Sequence, residues 1–554
     1  MADDVLKTRH YILPLLALLW GWTACESPAN NQQAESQISA TVLKKHIAIL
    51  ANDSLLGRKP FTLGETKTIR YIREQFRQLG LEPANGGRYY QDVPLVEINS
   101  QVTKGLEISG SGTPLQLQYE KDFVALSEQE VPEIRLKAAP LVFAGFGVVA
   151  PEYHWNDYAG LDVKGKVVIV LVNDPGFHSG QPDFFKGDTM TYYGRWTYKY
   201  EEAARQGAAG VLIVHQTAPA SYPWGVVQSS FSGAQLYLQD PQKHLDRCKM
   251  EGWITYETAQ KLLERGGISG DFTTLARKQG FKAVPLHQKL TVHINNQIRY
   301  NKSHNVAGLL KGSTRPDEYI IYSAHWDHFG IGRPVAGDSI YNGAIDNASG
   351  VASMLAIAQA FTRLPSPPKR SLLFLAVTSE EQGLLGSAYY AAHPLFPLNK
   401  TVADINLDAM GSYGATQDIV VTGLGQNHLE DEVQALAKRD SLTVRGDLNP
   451  SSGGYFRSDH FSFAKVGVPA IDVHNGLKSL SHDSAWTRAQ RARGGQTYHQ
   501  PSDEYDSTAD YTGMVQVSRL LYELGYRLSS ENSFPGWKTG SEFRALREKM
   551  RSSP

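Results

Sequence analysis

LLFLAVTSEEQGLLGS, residues 372–387, decides how the rest of the chain is read. Six apolar residues, Leu372 to Val377, run directly into Thr378, Ser379 and the adjacent carboxylates Glu380 and Glu381, and then into glycines. A short apolar run closed by turn residues reads as a strand, and this one delivers its two acids to the edge of a sheet. Neighbouring carboxylates repel unless a cation lies between them or one keeps its proton. The pair therefore asks for a metal, or for a general base beside one. Taken alone it also fits a solvated helix start, where Glu is favoured.

From about residue 303 the sequence repeats strand, loop and helix. Residues 319–323, 372–377, 402–407 and 469–473 read as strands, and 348–364 reads as the best helix, with Val351, Met354, Leu355, Ala358 and Phe361 on one stripe. The expected class is α/β, a mixed, mostly parallel sheet flanked by helices. Open sheets of this kind hold their ligands outside the carboxyl ends of the strands. His325 and Asp327 in IYSAHWDHFG, Glu380 and Glu381, and Asp408 in ADINLDAMG fall at such ends. Asp346 precedes the best helix in NGAIDNASG, and His499 follows the last strand in TYHQPSDEYD. Singly, these are a surface pair, a helix cap, a turn acid and a loop histidine. Together beside one sheet edge they suit a pair of zinc ions, which accept imidazole and carboxylate and need a bridging carboxylate when about 3.5–4 Å apart. One ion would take His325 and the other His499, with Glu381 and Asp408 distributed between them and Asp346 as bridge. Asp327 is then spaced to receive the other N–H of His325, and Glu380 is free to be a base.

The 554 residues exceed one ordinary core and suggest two or three domains. Hydrophobic residues at 41% and charged residues at 20% read as soluble and globular. A net charge of −1 excludes a nucleic-acid groove or a polybasic membrane patch. With only Cys25 and Cys248, a disulfide framework and a thiolate zinc cluster are excluded, so oxygen and imidazole must bind any metal. Lys7 and Arg9, the apolar run from Tyr11 to Trp22, and Thr23-Ala24-Cys25 form an export signal too short to read as an ordinary spanning helix. It resembles a bacterial lipoprotein signal, which implies lipidation of Cys25, membrane attachment through that N-terminal lipid, and a periplasmic, outer-membrane or secreted location. Trp22 stands where Leu is usual, and Asp3 and Asp4 dilute the basic start.

Expected boundaries are a signal over 1–25, a polar tether over 26–37, the first part of the main domain over 38–130, an insert over 131–285, the catalytic domain over 286–535 and a tail over 536–554. Within the insert, GFGVVA at 145–150 matches a dinucleotide fingerprint on paper, but Pro151, Tyr153, Trp155 and Asn156 do not open the helix that a pyrophosphate needs. FAGFGVVAPEYHWNDYAGLDVKGKVVIVL followed by AARQGAAGVLIV instead resembles the protease-associated domain, a small β-rich insert, which implies a substrate-access or interaction element.

His325-x-Asp327, Asp346-Asn347-Ala348-Ser349-Gly350, Glu380-Glu381, Asn406-x-Asp408-x-x-Gly411, Ser458-Asp459-His460 and Tyr498-His499-x-Pro501-x-Asp503 resemble, in order, the motifs of the co-catalytic di-zinc aminopeptidases of metallopeptidase family 28, clan MH. LANDSLLGRKP and YIREQFRQLGLEP resemble that family's N-terminal region, so the likeness spans roughly 40–530. It implies a zinc aminopeptidase/phosphorylase-hydrolase-like fold and two Zn2+ held by His325, Asp346, Glu381, Asp408 and His499, with Asp327 in support. Gln500 replaces the usual Thr. Peptides would be the substrates. Glu380 would take a proton from the attacking water and return it to the leaving amine, Tyr498 would donate to the oxyanion, and Arg457 would face the substrate. Two other readings stand beside this one. A carboxypeptidase or dipeptidase of the same clan needs an arginine pocket for a free carboxylate, and no arginine cluster is evident near the motifs. A lipid-anchored peptide-binding protein with an inactive peptidase fold would lack members of the ligand set, which is complete here.

Overall fold

The strand expected from LLFLAV is Arg370–Val377, buried at every position because both faces of the sheet are covered. In a computed structural model describing residues 28–552, it lies beside Arg315–His325, which is followed outward by Thr401–Asn406 and Ala470–Asn475. These four strands are parallel. Their carboxyl ends therefore share one edge, and each expected strand of this group is found. The expected helix is Ser349–Thr362, so deeply buried that most of its circumference is apolar. It packs with Ala40–Leu50 and Thr512–Ser530 in one apolar layer, while Tyr390 and Phe463 belong to the layer on the opposite face.

Beyond Arg370–Val377 the sheet continues through Val284–Leu310, a strand of 27 residues that pairs antiparallel with Arg370–Val377 near its end and with Glu133–Phe143 near its start. Tyr90–Ser109 runs antiparallel along most of it. This two-stranded ribbon carries the sheet onward to Val167–Leu171, Gly210–His215, Met250–Thr255 and Phe123–Leu126. No separate β-rich domain is distinguished over residues 131–285: among the described residues most of their strands belong to one 16-stranded sheet, while Val149–Ala150 and Trp155–Asn156 pair in a two-stranded sheet of their own. The apolar side chains of this part of the sheet form two clusters shared with the neighbouring strands, around Phe143 and Ile169 on one face and Val168 and Trp253 on the other.

The stretch after Trp537 packs rather than trailing. Trp537 donates its indole N–H to Gly467 O at 2.9 Å, Phe543 is buried, and Arg547, on helix Arg544–Ser552, donates to Thr401 O at 2.9 Å. A charged sequence hid these anchors because an arginine can spend its donors on backbone carbonyls inside a domain. The export signal and Cys25 lie outside the described residues. Among the described residues, no helix is long and apolar enough to cross a membrane.

Candidate metal centre

His325 is the last residue of its strand, and the backbone then turns through Trp326 and Asp327. Its Nδ1 faces the carbonyl oxygen of Asp327 at 3.1 Å, an acceptor only, so Nδ1 carries the hydrogen and Nε2 is left with a free lone pair. That Nε2 points at Asp346 Oδ1 (3.1 Å) and Asp408 Oδ1 (3.2 Å). His499 Nε2 lies 3.2 Å from Asp346 Oδ2 and 3.1 Å from Glu381 Oε2. Asp346 stands between the two imidazoles and turns one oxygen to each.

Loop chemistry fixes the position of Asp346. Gly343 has φ +55°, and a Cβ there would meet Asp346 O at 2.1 Å and the His328 ring at 2.6 Å, so only glycine permits this turn. The Asp503 carboxylate accepts from the backbone N–H of Ile345 (3.0 Å) and Asp346 (3.1 Å), tying the His499 loop to the Asp346 loop. Asn347 donates to Leu407 O at 2.9 Å and accepts from Ala409 N–H at 3.2 Å, and Ser349 Oγ accepts from Met410 N–H at 2.9 Å. Residues 346–350 thereby hold the loop that carries Asp408. Ser458 Oγ donates to the other oxygen of Asp408 at 2.5 Å while accepting from Asn406 at 2.7 Å.

Glu380 lies further out: its Oε2 is 3.8 Å from His325 Nε2. Its backbone N–H donates to Asp327 Oδ1 at 3.0 Å. The fully buried Asp327 carboxylate, expected to receive the His325 N–H, is 3.8 Å from Nδ1, and its own backbone carbonyl takes that role. Asp327 instead orients the strand exit that carries Glu380.

Without a counter-ion this concentration of acids distorts the titration of its members. Burial, with Asp408 and Glu381 adding to it, pushes the Glu380 carboxyl well above its ordinary range. Burial and the neighbouring Glu381 push Asp327 up to about 6. Burial opposes a charge on His499, but hydrogen bonds to Asp346 and Glu381 outweigh it and raise its pKa to about 9.

The residues fit metal ions on geometry as well. Tetrahedral zinc with arms of about 2.0 Å has ligand-to-ligand edges of about 3.3 Å, close to the four nitrogen-to-oxygen separations of 3.1–3.2 Å. Two closely spaced groups sharing His325 have ligand atoms within 4.8 Å of one another: His325, Asp346 and Glu381, and His325, Glu380 and Asp408. The donor set, imidazole and carboxylate without thiolate, suits a pair of zinc ions.

The centre opens into a cavity of about 380 Å3 lined by Asp346, Glu380, Asp408, Arg457 and Tyr498 among others. Tyr498 stacks on the His499 ring at 3.6 Å between centroids and is 56% exposed. Arg457 is exposed and donates to Ser452 O at 2.8 Å. All of the expected site residues among the described residues therefore converge; Cys25 is the one outside them.

Three residues without an expected role complete the surroundings. His328 Nδ1 donates to Glu381 Oε1 at 2.5 Å, holding the oxygen that does not face His499. Arg58 is completely buried and donates to the carbonyls of Trp326 (2.9 Å), Leu50 (2.8 Å), Gly343 (2.8 Å) and Asn342, stapling both loops of the centre. Arg491, on helix Ser484–Thr497, lines the cavity together with Arg457, so the fold assembles arginines that the spacing of the motifs kept apart. A second histidine three residues after His325 was the only sequence signal for any of them.

Residues 305–524 match the model of Peptidase family M28. A Mus musculus protein named Aminopeptidase NAALADL1 is 29% identical over 248 residues, covering 40% of this chain and 30% of the relative. A Caenorhabditis elegans protein named Glutamate carboxypeptidase 2 homolog is 30% identical over 390 residues, covering 61% of this chain and 46% of the relative. The chain thus spans between 30% and 46% of the length of these two relatives. The solved structure of an aminopeptidase from Aneurinibacillus sp. strain AM-1 superposes with a TM-score of 0.50 at 20% identity, covering 91% of this chain and 97% of that one. That likeness shows the fold, a mixed and mostly parallel sheet flanked by helices.

Proposed function

We propose that this chain is a zinc-dependent aminopeptidase that removes N-terminal residues from peptides. The observation that carries the reading is the carboxylate of Asp346, with one oxygen 3.1 Å from His325 Nε2 and the other 3.2 Å from His499 Nε2, which suits a bridge between two ions. In this reading His325 and Asp408 serve one ion, Glu381 and His499 the other, and Asp346 both. Bound zinc supplies Lewis-acid polarisation of the scissile carbonyl and lowers the pKa of water to about 7.

The remaining work falls to the chain. Glu380, outside the tightest contacts yet lining the cavity, takes the proton of the attacking water and hands it to the leaving amine. Asp327 sets the backbone of Glu380, and Tyr498 reaches the cavity beside His499 to donate to the developing oxyanion. Arg457 meets the substrate from the opposite loop. The match to Peptidase family M28 and relatives named as aminopeptidases support this assignment.

The segment 131–285 is proposed to be a protease-associated element that borders the cleft. Tyr192 packs on Phe461 at 5.1 Å between centroids, and Met190 N–H donates to Pro450 O at 3.1 Å, so this segment braces the loop carrying Arg457 and Ser458. The N-terminal sequence supports export and lipidation at Cys25, which would attach the enzyme to the cell envelope. The test is hydrolysis of aminoacyl-nitroanilides against their N-acetyl counterparts. Cleavage restricted to the free amines, abolished by chelation and restored by zinc, is the expected result. Equal cleavage of blocked substrates would overturn the aminopeptidase reading.

A further inference from the structure

Behind Asp408 the sheet carries a row of polar side chains that the proposed reaction does not use. Asp404 and Asn406 lie two residues apart on strand Thr401–Asn406 and so share one face, and Ser323 stands opposite Asn406 on the neighbouring strand Arg315–His325. That face is covered by the layer holding Tyr390 and Phe463, and Asp404, Ser323 and Asn406 are all buried. Contacts run along the row without a break. Asp404 Oδ1 lies 2.8 Å from Ser323 Oγ, and Ser323 Oγ lies 3.1 Å from Asn406 Oδ1. Asn406 Nδ2 then meets Ser458 Oγ at 2.7 Å, and Ser458 Oγ meets Asp408 Oδ2 at 2.5 Å.

The hydrogens available along the row fix its direction. Ser458 has one hydroxyl hydrogen, and the Asp408 carboxylate, which can only accept, takes it. Asn406 must then give its NH2 to Ser458 and turn its oxygen to Ser323. That oxygen needs the one hydrogen of Ser323, so the contact between Ser323 and Asp404 is a hydrogen bond only if Asp404 supplies the proton. An ionised Asp404 would claim the Ser323 hydrogen and leave the buried Asn406 oxygen facing another oxygen with no hydrogen between them. The surroundings also disfavour a charge. Asp404 Oδ2 has no partner, and among the described residues no Lys, Arg or His nitrogen lies within 4.0 Å of this carboxyl. The titratable groups facing it are Asp459, Asp472, Tyr390 and Tyr455, none of them cationic. Burial, with Asp459 and Asp472 adding to it, lifts the Asp404 carboxyl well above its ordinary range.

We propose that Asp404 is kept as a neutral carboxylic acid whose proton starts a one-way chain of hydrogen bonds, through Ser323, Asn406 and Ser458, that holds Asp408 with its other oxygen turned to His325. Asp404 is thus a positioning residue, acting on the metal centre through three others and touching neither substrate nor ion. This rests on the reading of Asp408 as a metal ligand and adds to it what keeps that ligand in place. A chain whose members all point the same way polarises each bond in turn, so the last one, onto Asp408, is strengthened by the first.

The first arm of the experiment needs no bound metal. The infrared difference between metal-free wild type and Asp404→Asn at neutral pH is expected to show the C=O band of a protonated carboxylic acid, lost in the variant. Urea unfolding of the same two proteins reads the linked effect. An acid held neutral in the folded chain leaves stability full below about pH 4 and takes it away as pH rises, so Asp404→Asn is expected to gain on wild type between about pH 4 and 7. The second arm is zinc affinity by competition with a chromophoric chelator. Asp404→Leu removes the donor and is expected to weaken zinc about ten-fold, whereas Asp404→Asn, whose NH2 can donate to Ser323, stays within about two-fold of wild type. Ser323→Ala breaks the same chain and is expected to match Asp404→Leu, which keeps this arm decisive if the leucine variant does not fold. Loss of carboxylate bands in place of the acid band, or wild-type zinc affinity in the variants that break the chain, would overturn the inference. If wild type binds no zinc, the peptidase reading fails separately, and the infrared band still decides whether Asp404 is the neutral donor.

Discussion

Arg58→Met tests how the centre is built, because it removes the guanidinium while keeping most of the apolar stem. In the folded chain that guanidinium donates to four carbonyls, those of Leu50, Trp326, Asn342 and Gly343, and it is wholly buried, which pulls its pKa down to about 10. Four charge-assisted bonds at about 1.5 kcal/mol each are worth roughly 6 kcal/mol. Against this, a buried guanidinium carries a desolvation penalty of several kcal/mol that the variant escapes. The net loss is therefore on the order of 3 kcal/mol, with buried carbonyls left unpaired between the two loops. Those loops carry His328 and Asp346, so zinc affinity is expected to fall about ten- to hundred-fold, as when other supports of metal ligands are removed. Urea unfolding of metal-free and zinc-loaded protein reads the first effect, and competition with a chromophoric chelator reads the second. Arg58→Lys keeps the charge without the fork and is expected to fall between. An unchanged urea midpoint together with wild-type zinc affinity for Arg58→Met would refute the stapling role.

Ser458→Ala leaves Asp408 Oδ2 without its 2.5 Å donor, and a loss of about ten- to hundred-fold in zinc affinity or turnover is expected from chelator competition and steady-state rates. His46 is buried and hydrogen-bonded to Tyr71 OH at 2.7 Å, and burial, aided by Lys45, lowers its pKa to about 4. The unfolded chain therefore takes up the proton first: stability is full above about pH 6.5 and declines as pH falls toward 4, by on the order of 3 kcal/mol. His46→Gln should remove that part of the acid lability, seen as a flatter dependence of melting temperature on pH between 6.5 and 4.

The parts of the fold that were legible in the sequence are those whose burial is local. Leu372–Val377 and the helix at 349–362 are apolar on nearly every side, and their periodicity needs no knowledge of their partners. The acids and histidines of the centre were legible because the parallel strands bring their ends to one edge whatever the lengths of the connections. Long-range closure was not. Nothing in residues 90–109 indicates that they pair with 289–306, and that ribbon is what joins most of the 131–285 strands to the same sheet. Arg58 sits in a turn rich in polar residues and becomes a buried staple only when loops more than 250 residues away close over it. Arg491 reads as one of several charges on an exposed helix, and its place on the cavity wall depends on how that helix enters Tyr498 and His499. Arg547 was concealed by a charged composition that describes the outer face of its helix and not the inner one, and Phe543 is buried just ahead of that helix.

The central claim is that Glu380 moves the proton while its neighbour Glu381 helps to hold the metal. Glu380→Gln separates the two, since the amide preserves shape and cannot accept a proton as a base. Metal content by elemental analysis and kcat on a free aminoacyl-nitroanilide should be measured on the same preparation. Two zinc ions per chain with kcat reduced by about 10²–10⁴ is the predicted result. A zinc-loaded Glu380→Gln variant that keeps the wild-type rate would contradict the account.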